Sequence, residues 1–515
     1  MDNSIGNKED RAGKLVINTI ALYCRLIITM LIALFTSRVV LNTLGVEDYG
    51  LYNVVGGVVT MLSVITSGLL TSTQRYLSYE LGNGNSVNLR KVFSMCLTVH
   101  ALLAIISIVI LETIGLYVIN NTLQVPEGRI SAANWIFQFS VVAFVFQIIT
   151  VPYSASIISH ERMTVYAYIG IFDAVSKLLV AYAIYMSPID KLSLFGFLTM
   201  CIFIVDFIIY KYICNKDYEE TNYVPIYDAA MFKKILSFSS WTMLGQGTMV
   251  FCNQSLNVLI NMFHSVVANA AFGIAQQVNA AISSLTSNFF TAFQPQITKS
   301  YSAGEIHYFT GLVCLSSKIS FFMILIVAIP IMMNIEPILE TWLGIVPPNT
   351  AIFCCVIVMS SIINSIGNPF WVAVFANGHI RKLQILSSIL YLLCVFVTYA
   401  FFKNGSIAVV ALICKFGTDL VITILRIHQA RVLISSFSFK MILSVIFIPI
   451  LTSSSVIFLF SYYSTSFMST SLLRIIVTLI NVLNIICVFY FLGLSKNERN
   501  MLNKYVINFV NLRKK

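Results

Sequence analysis

The stretch Val16–Ser37, VINTIALYCRLIITMLIALFTS, decides the class of fold. It is long enough to cross a bilayer, which takes about 20 apolar residues. One charged residue, Arg25, lies inside it. A charge within a membrane-spanning helix costs at least about 2.5 kcal/mol, so such a residue usually faces protein or water and serves a function. Because no small-residue cleavage site follows, we interpret the stretch as a retained transmembrane helix and not as a signal peptide.

The composition of the whole chain is that of an integral membrane protein. Of 515 residues, 58% are hydrophobic and 10% are charged, whereas soluble domains have about 25% charged residues. The net charge of +11 follows from topology, because most Lys and Arg fall in segments that are cytoplasmic if the N-terminus is inside. We therefore predict that both termini are cytoplasmic and that no nucleic acid is bound. The cysteines show no metal-ligand spacing, and we predict neither a metal nor a cofactor.

Apolar runs of about 20 residues predict an all-α polytopic protein with about 14 transmembrane helices. The first six cover 15–37, 51–71, 92–119, 134–157, 165–186 and 193–212. The next six cover 235–262, 268–292, 309–333, 350–375, 384–402 and 406–425, and the last two cover 441–462 and 472–494. The predicted domains are a six-helix lobe (1–212), a cytoplasmic connector (213–234), a second six-helix lobe (235–430) and two extra helices with a tail (431–515). We also expect a short interfacial helix in IEPILETWLGIVPPNT, ended by Pro347 and Pro348.

The two predicted lobes share an internal repeat. Residues around the ends of the second and eighth spans match in order, as do Pro152 with Pro369 and Asp206 with Asp419. We predict a parallel repeat with its axis along the membrane normal, an arrangement that places the substrate path of transporters at the repeat interface. The identical pairs near the second and eighth spans are Ser63/Ser283, Thr66/Thr286, Ser67/Ser287, Thr71/Thr291, Gln74/Gln294 and Gly84/Gly304.

Polar residues recur at helical spacing on four of the predicted spans. One interpretation is a hydrated cavity lined by these stripes, and the other is helix packing through hydrogen bonds. For the Ser and Thr positions we favour packing, and for the Gln and Asn positions we favour the cavity. The stripes consist of Asn18, Arg25, Thr29 and Thr36 on the first span, Thr60, Ser63, Ser67, Thr71 and Gln74 on the second, Ser239, Thr242, Gln246 and Asn253 on the seventh, and Gln276, Asn279, Ser283, Ser287 and Gln294 on the eighth.

Arg25 is the leading candidate for substrate binding among the charged residues within spans. Its guanidinium can hold a phosphate or diphosphate bidentately, although a structural ion pair is the alternative. Lys318 either extends to the interface or faces the cavity. Asp206 has no partner on its own helix and is a candidate ion or proton site.

Two further charged pairs lie within predicted spans at a separation of four residues, Asp173 with Lys177 and Lys415 with Asp419. Such pairs can neutralise themselves along one helix face. They either stabilise the helix bundle or take part in ion coupling or gating. Together with Asp206 they form the set of candidate coupling residues.

Four stretches carry a resemblance to a known family: LGVEDYGLYNVVGGV after the first span, ERMTVYAYIGIFDAVSKL at the fifth, FQPQITKSYSAGE after the eighth and ILETWLGIVPPNT before the tenth. In these stretches the sequence resembles the polysaccharide-transporter (Wzx-type) flippases of the multidrug/oligosaccharidyl-lipid/polysaccharide (MOP) exporter superfamily. The resemblance implies two six-helix lobes around a central cavity and alternating access. It also implies movement of a lipid-linked oligosaccharide between the leaflets of the bacterial inner membrane.

Related flippases of peptidoglycan precursors place arginines for the diphosphate on several cavity helices. Here only Arg25 matches that pattern, which favours an O-antigen or capsular unit as substrate. The expected partners are this lipid-linked oligosaccharide, membrane lipids and a polysaccharide polymerase. The alternative is a cation-coupled drug or small-solute exporter of the same superfamily. An enzyme is not expected, because the predicted external loops are too short for a catalytic domain.

Overall fold

The computed structural model of the chain describes residues 2–60, 63–121, 128–188, 190–226, 228–465, 471–496 and 498–500. Within this part the chain is helical and contains no β-strand, which confirms the predicted all-α fold. The helices of the first half are α1 (Asp2–Thr60), α2 (Ser63–Asn83), α3 (Ser86–Ile110), α4 (Leu116–Asn121), α5 (Ile130–Ser159), α6 (Met163–Tyr185) and α7 (Lys191–Asp217). Those of the second half are α8 (Ala229–Phe263), α9 (Val266–Ser302), α10 (Ile306–Met333), α11 (Ile335–Leu343), α12 (Thr350–Asn377), α13 (Arg381–Lys403), α14 (Val409–Leu433), α15 (Phe439–Ile442), α16 (Ile448–Thr465) and α17 (Ser471–Val488).

Ten helical segments of the described chain are long and apolar enough to cross a membrane, judged by length and composition. The chain is a multi-pass membrane protein. The other four predicted spans fall on α1–α2, α8, α9 and α14. The segments on α8, α9 and α14 carry polar stripes or several charged residues, which lower their apolar content. The predicted span 51–71 includes residues 61 and 62, which lie outside the described residues. The choice of membrane and the orientation of the termini stay predictions.

Between the predicted spans 15–37 and 51–71, helix α1 is broken at Gly45. The backbone there has φ +81° and ψ +170°, outside the helical region. A positive φ strains residues that have a side chain, whereas glycine adopts it without steric cost. Gly45 therefore lets the chain change direction between two helical stretches.

Contacts divide the chain into two compact units, an N-unit (Val16–Gln246) and a C-unit that comprises the residues from Gly247 onward together with those before Val16. In the N-unit, α5 packs against α2, α3 and α7, and α6 packs against α7. In the C-unit, α12 packs against α9, α10 and α14, and α13 packs against α14. The order of neighbours is the same in both units, so the topology supports the internal repeat. The domain bounds predicted from the sequence stay a prediction.

Local backbone features repeat along with the topology. Gly84 after α2 has φ +70°, and its predicted counterpart Gly304 after α9 has φ +73°. Pro152 lies inside α5 and Pro369 inside α12. A proline inside a helix removes one backbone hydrogen bond and favours a kink. The central helix of each unit therefore carries the same local irregularity.

The predicted interfacial helix is α11, which has a half-exposed Trp342. It ends earlier than predicted, because Gly344 takes φ +71° directly after Leu343. The last two predicted spans are α15–α16 and α17, and each contains a π-helical turn, at Leu443–Phe447 and Phe489–Gly493. Both α16 and α17 pack against α10 in the C-unit.

Candidate functional site

Arg25 lies on the side of α6 in the N-unit. Its guanidinium carbon is 4.5 Å from the centre of the Tyr166 ring, a cation–π contact. One turn further along α6, Gly170 leaves room for the arginine stem: a Cβ at this position would lie 3.0 Å from Arg25 Cδ and 3.4 Å from Nη1. Tyr166 and Gly170 together form what we call the arginine seat.

The face of α6 that carries the arginine seat continues with two charged residues. Asp173 and Lys177 follow at helical spacing, and Lys177 Nζ donates a hydrogen bond of 2.8 Å to Asp173 Oδ2. The same ammonium lies 5.2 Å from the ring centre of Phe203 on α7. The predicted pairing of Asp173 with Lys177 is therefore confirmed. Both side chains are half-buried, and Lys177 also contacts α7.

Asp206 on α7 faces this pair. Its side chain is buried, and it interacts electrostatically with both Asp173 and Lys177. Asp206 Oδ1 and Asp173 Oδ1 are buried and have no hydrogen-bond partner among the residues that the structure describes. The sequence showed no partner for Asp206 on its own helix, and the partners lie on α6. Two carboxylates beside one ammonium form a site that can hold an additional proton or cation.

The C-unit contains a related but different arrangement. Lys415 Nζ donates to both carboxylate oxygens of Asp419, at 2.6 and 2.8 Å, along α14. The same ammonium lies 5.1 Å from the ring centre of Tyr391 on α13. Asp419 is the repeat counterpart of Asp206, and its side chain is only 2% exposed. This predicted pair is confirmed as well, but here a single carboxylate balances a single ammonium.

Several of the predicted polar stripes form hydrogen bonds between helices. In the N-unit, Ser67 donates to Gln246 Oε1 (2.6 Å), which joins α2 to α8. In the C-unit, Asn279 accepts from Ser361 on α12 (2.9 Å), and its own amide donates to Gln276 (3.4 Å). These residues therefore contribute to packing, the interpretation favoured for Ser and Thr.

Four other amides belong to the stripes, namely Asn18, Asn253, Gln74 and Gln294. Gln74 and Gln294 are buried, and their amide nitrogens have no hydrogen-bond partner among the described residues. Asn253 on α8 is half-buried. Asn18 on α1 is buried, and its Nδ2 has no hydrogen-bond partner within the described part of the chain. Asn18 precedes Arg25 by two helical turns, so both belong to one face of α1.

Lys318, a predicted binding residue, has its charge buried within the C-unit. It is 1% exposed, and its Nζ lies 2.5 Å from Glu498 Oε2. Glu498 lies beyond α17, and no local pattern in the sequence indicated this pairing because the two residues are far apart in the chain. The contact takes Lys318 out of the set of cations we assign to a substrate.

Arg75 on α2 is a buried cation that the sequence analysis did not single out. It is 6% exposed, and its guanidinium lies 4.8 to 5.3 Å from the ring centres of Tyr76, Tyr79 and Phe238. The aromatic residues at positions 76 and 79 were the available signal. Arg75 and Phe238 attach α2 to the start of α8 within the N-unit.

Ion pairs join the loops of the N-unit on the side predicted to be external. Arg129 binds Asp48 with two guanidinium nitrogens and donates to Asp190 at 2.7 Å. Burial opposes the ionisation of Asp190, but hydrogen bonds from Ser193 and Arg129 outweigh it and hold the pKa of Asp190 below its ordinary value. The segment after the Gly45 break is thereby tied to the starts of α5 and α7.

A second set of contacts joins the loops predicted to be cytoplasmic. His160 stacks on Tyr218 with ring centres 4.0 Å apart, and its Nε2 lies 2.6 Å from Glu220 Oε1. Burial by itself raises the pKa of Glu220, but hydrogen bonds from His160 and from the backbone outweigh it, so the pKa lies below the ordinary value. Arg162 also pairs with Asp217. No group of three or more metal-ligating side chains occurs among the described residues.

Comparison with solved structures identifies the fold. The chain is similar to a multidrug resistance MATE family transporter of the MOP superfamily in an outward-facing conformation, with a TM-score of 0.72 at 14% identity over 82% of this chain and 96% of that one. It is also similar to a MATE structure in the bent conformation, with a TM-score of 0.70 at 16% identity over 83% and 96%.

A third similar structure is a MOP superfamily transporter from Pyrococcus furiosus, described as having a binding pocket of reverse polarity that suggests a different function. The TM-score is 0.66 at 14% identity, over 81% of this chain and 96% of that one. No protein-family model and no curated protein matches the sequence. The described chain thus has a MATE-type fold.

Proposed function

We propose that the protein is a flippase that moves a polyprenyl-diphosphate-linked oligosaccharide across the bacterial cytoplasmic membrane by alternating access. The product would enter surface polysaccharide biosynthesis, as an O-antigen, capsule or exopolysaccharide unit. The fold supports a membrane transporter as the general class. The choice of an anionic lipid-linked substrate rests on the chemistry of Arg25.

The observation that carries this proposal is a guanidinium held within an apolar helix by an aromatic ring. Stacking on Tyr166 uses the face of the guanidinium, whereas recognition of phosphate uses the N–H groups at its edge. The arginine seat can therefore orient the cation without competing for the same atoms as a diphosphate. The amide of Asn18, on the same face of α1, offers hydrogen bonds of the kind that sugar hydroxyls accept and donate.

The similarity to the Pyrococcus furiosus transporter supports the idea that transporters of this fold can differ in the charge of their binding sites. The reverse polarity of that transporter's binding pocket suggests a different function within the MOP superfamily. One fold can therefore carry binding sites of opposite charge, and function follows from the site and not from the fold. In this chain, α1 contributes the cation Arg25 to the proposed binding site.

The test is transport of a fluorescent polyprenyl-diphosphate oligosaccharide in liposomes by variants at position 25. Removing one member of a charge-assisted pair costs about 2 kcal/mol or more, so Arg25→Ala should slow flipping about 30-fold or more. Arg25→Lys should recover part of the rate, because an ammonium supplies charge without the bidentate geometry.

The matched control is Arg38→Ala, since Arg38 is an exposed arginine on the same helix. It should flip at the wild-type rate. If folded Arg25→Ala flips as fast as Arg38→Ala, the diphosphate is not held by Arg25, and the assignment is wrong.

A second candidate function is cation-coupled export of a drug or small solute. The observation that favours it is the buried carboxylate of Asp206 beside the half-buried Asp173 and Lys177. Adjacent carboxylates repel each other, and a bound proton or metal cation relieves the repulsion. In this case a cationic dye would be exported in a gradient-dependent manner, and Asp206→Asn would abolish export while Arg25→Ala would not.

A further inference from the structure

The last two transmembrane helices are attached to α10 along its length. Near one end of α10, Asn334 Nδ2 donates to Thr478 Oγ1 of α17 (3.0 Å). Further along, Phe322 packs on Phe489 with ring centres 4.6 Å apart. A Cβ on Gly493 would lie 2.9 Å from the Phe322 ring, so the chain approaches α10 closely at this point.

The attachment ends at a helix start that follows the second π-helical turn. Ser495 and Glu498 form a capping box: the Ser495 N–H donates to Glu498 Oε2 (2.7 Å), and the Glu498 N–H donates to Ser495 Oγ (3.4 Å). Such a reciprocal pair fixes the first turn of a helix. The carboxylate that completes the cap is the same one that binds Lys318.

Lys318 depends on this carboxylate. It is 1% exposed on a helix composed mostly of apolar residues. Burying an ammonium is costly unless it is paired and hydrogen-bonded. The counter-charge comes from Glu498, which reaches Lys318 only while the segment after α17 is folded and docked.

We propose that the capping box of Ser495 and Glu498 acts as a latch. Its ion pair with Lys318 holds the two C-terminal helices docked on α10. The closed latch neutralises the buried ammonium. An open latch leaves that ammonium without its counter-charge, so the chain resists undocking of α17 and of the segment after it. This conformational role does not depend on which substrate the protein carries.

The test uses E498Q, K318M, the double variant K318M/E498Q and the control K496Q in the full-length protein in detergent. Glutamine can still serve in a capping box, so E498Q removes the charge and keeps the cap. Lys496 is exposed and lies in the chain between Ser495 and Glu498. Thermal unfolding and hydrogen exchange of the peptide that contains residues 495–500 are the two readouts.

We expect E498Q to lower the melting temperature by about 5 °C or more and to speed exchange in this peptide about 10-fold. The double variant should recover much of both losses because no uncompensated charge remains, and K496Q should match the wild type. If E498Q does not fold, recovery of a folded double variant supports the latch. Identical behaviour of E498Q and K496Q, or additive losses in the double variant, would overturn it.

Discussion

At the scale of single residues, several cationic side chains lie on apolar helices, and each has a partner. In each case an aromatic ring or a carboxylate lies within reach of the charge, because an unpaired charge in the membrane is costly. The guanidinium of the first helix lies on a ring, and the lysines of the later helices bind carboxylates. The contacts are Arg25–Tyr166, Lys177–Asp173, Lys318–Glu498 and Lys415–Asp419.

The arginine seat makes a prediction for Gly170→Ala. The added Cβ would lie 3.0 Å from Arg25 Cδ, closer than ordinary van der Waals contact, so the arginine stem must shift. We expect flipping of the lipid-linked oligosaccharide to fall about 10-fold, because misplacing a binding group is costly even when the group remains. The liposome assay measures this rate.

The control for this substitution is Gly273→Ala. Gly273 is a helical glycine on α9, and no neighbouring atom lies within 4 Å of the position that an added Cβ would take. The Gly273→Ala variant should move the lipid-linked oligosaccharide at the wild-type rate. If both alanine variants transport at the wild-type rate, the position of the Arg25 stem does not matter for transport.

The contact between His160 and Glu220 predicts a pH-dependent contribution to stability. The pKa of Glu220 is lower in the folded protein than in the unfolded chain, so the contact stabilises above the ordinary glutamate pKa of about 4.3 and is lost as the pH falls through the folded value. Glu220→Gln should therefore lower stability by about 1 kcal/mol or more at pH 7.

Melting curves of wild type and Glu220→Gln between about pH 3 and pH 8 measure this difference. The two curves should converge below about pH 4. A constant difference across the whole range would mean that the loss comes from packing and not from the charge of Glu220.

The single-residue predictions from the sequence succeeded where both partners lie on one helix. Spacing alone identified Asp173 with Lys177 and Lys415 with Asp419, because residues four apart share a helix face. It did not identify Glu498 as the partner of Lys318, since that contact joins segments distant in the sequence. The stacking of Arg25 on α6 had no local signal for the same reason.

At the scale of helices, close approach of α12 and α14 holds the centre of the C-unit together. A Cβ on Gly367 would lie 2.9 Å from Thr423 Cγ2 and 3.0 Å from its Oγ1. Small residues permit such approach between membrane helices, where van der Waals packing and hydrogen bonds drive association. Glycine at this position allows the two helices to touch.

Gly367→Ala should therefore destabilise the protein by about 1–3 kcal/mol, the usual cost of overpacking. Thermal unfolding in detergent measures the loss. Gly417→Ala on α14 is the matched control, because no atom lies within 4 Å of its Cβ position. If the two variants melt at the same temperature, the approach of α12 to α14 does not contribute measurably to stability.

Helices were predictable from the sequence to the extent that apolar length identifies them. The strongly apolar segments were found with nearly correct bounds, as for α5 and α13. The break at Gly45 falls in the predicted gap between the first two spans, although the sequence did not indicate which residue of the gap breaks the helix. The end of α11 was misplaced because proline was taken as the stop, whereas the positive φ of Gly344 ends the helix first.

At the scale of the whole molecule, the same order of helix neighbours occurs in both units, and α16 and α17 are attached to the C-unit. The repeat could be predicted because Pro152 and Pro369, and Asp206 and Asp419, fall at corresponding positions of the two units. The attachment of α16 and α17 to α10 could not, since it depends on single contacts between distant segments. The two units also differ in charge at this place, because Asp206 and Asp173 lie beside one ammonium, whereas Asp419 is paired with Lys415 alone.

The measurement that tests the central claim most directly is transport by the wild-type protein of two substrates in matched liposomes. One set holds a fluorescent polyprenyl-diphosphate oligosaccharide, and the other holds a fluorescent cationic dye with a proton or sodium gradient. We predict that the protein flips the lipid-linked oligosaccharide and does not transport the dye. Export of the dye without movement of the oligosaccharide would contradict the flippase and establish the cation-coupled exporter in its place.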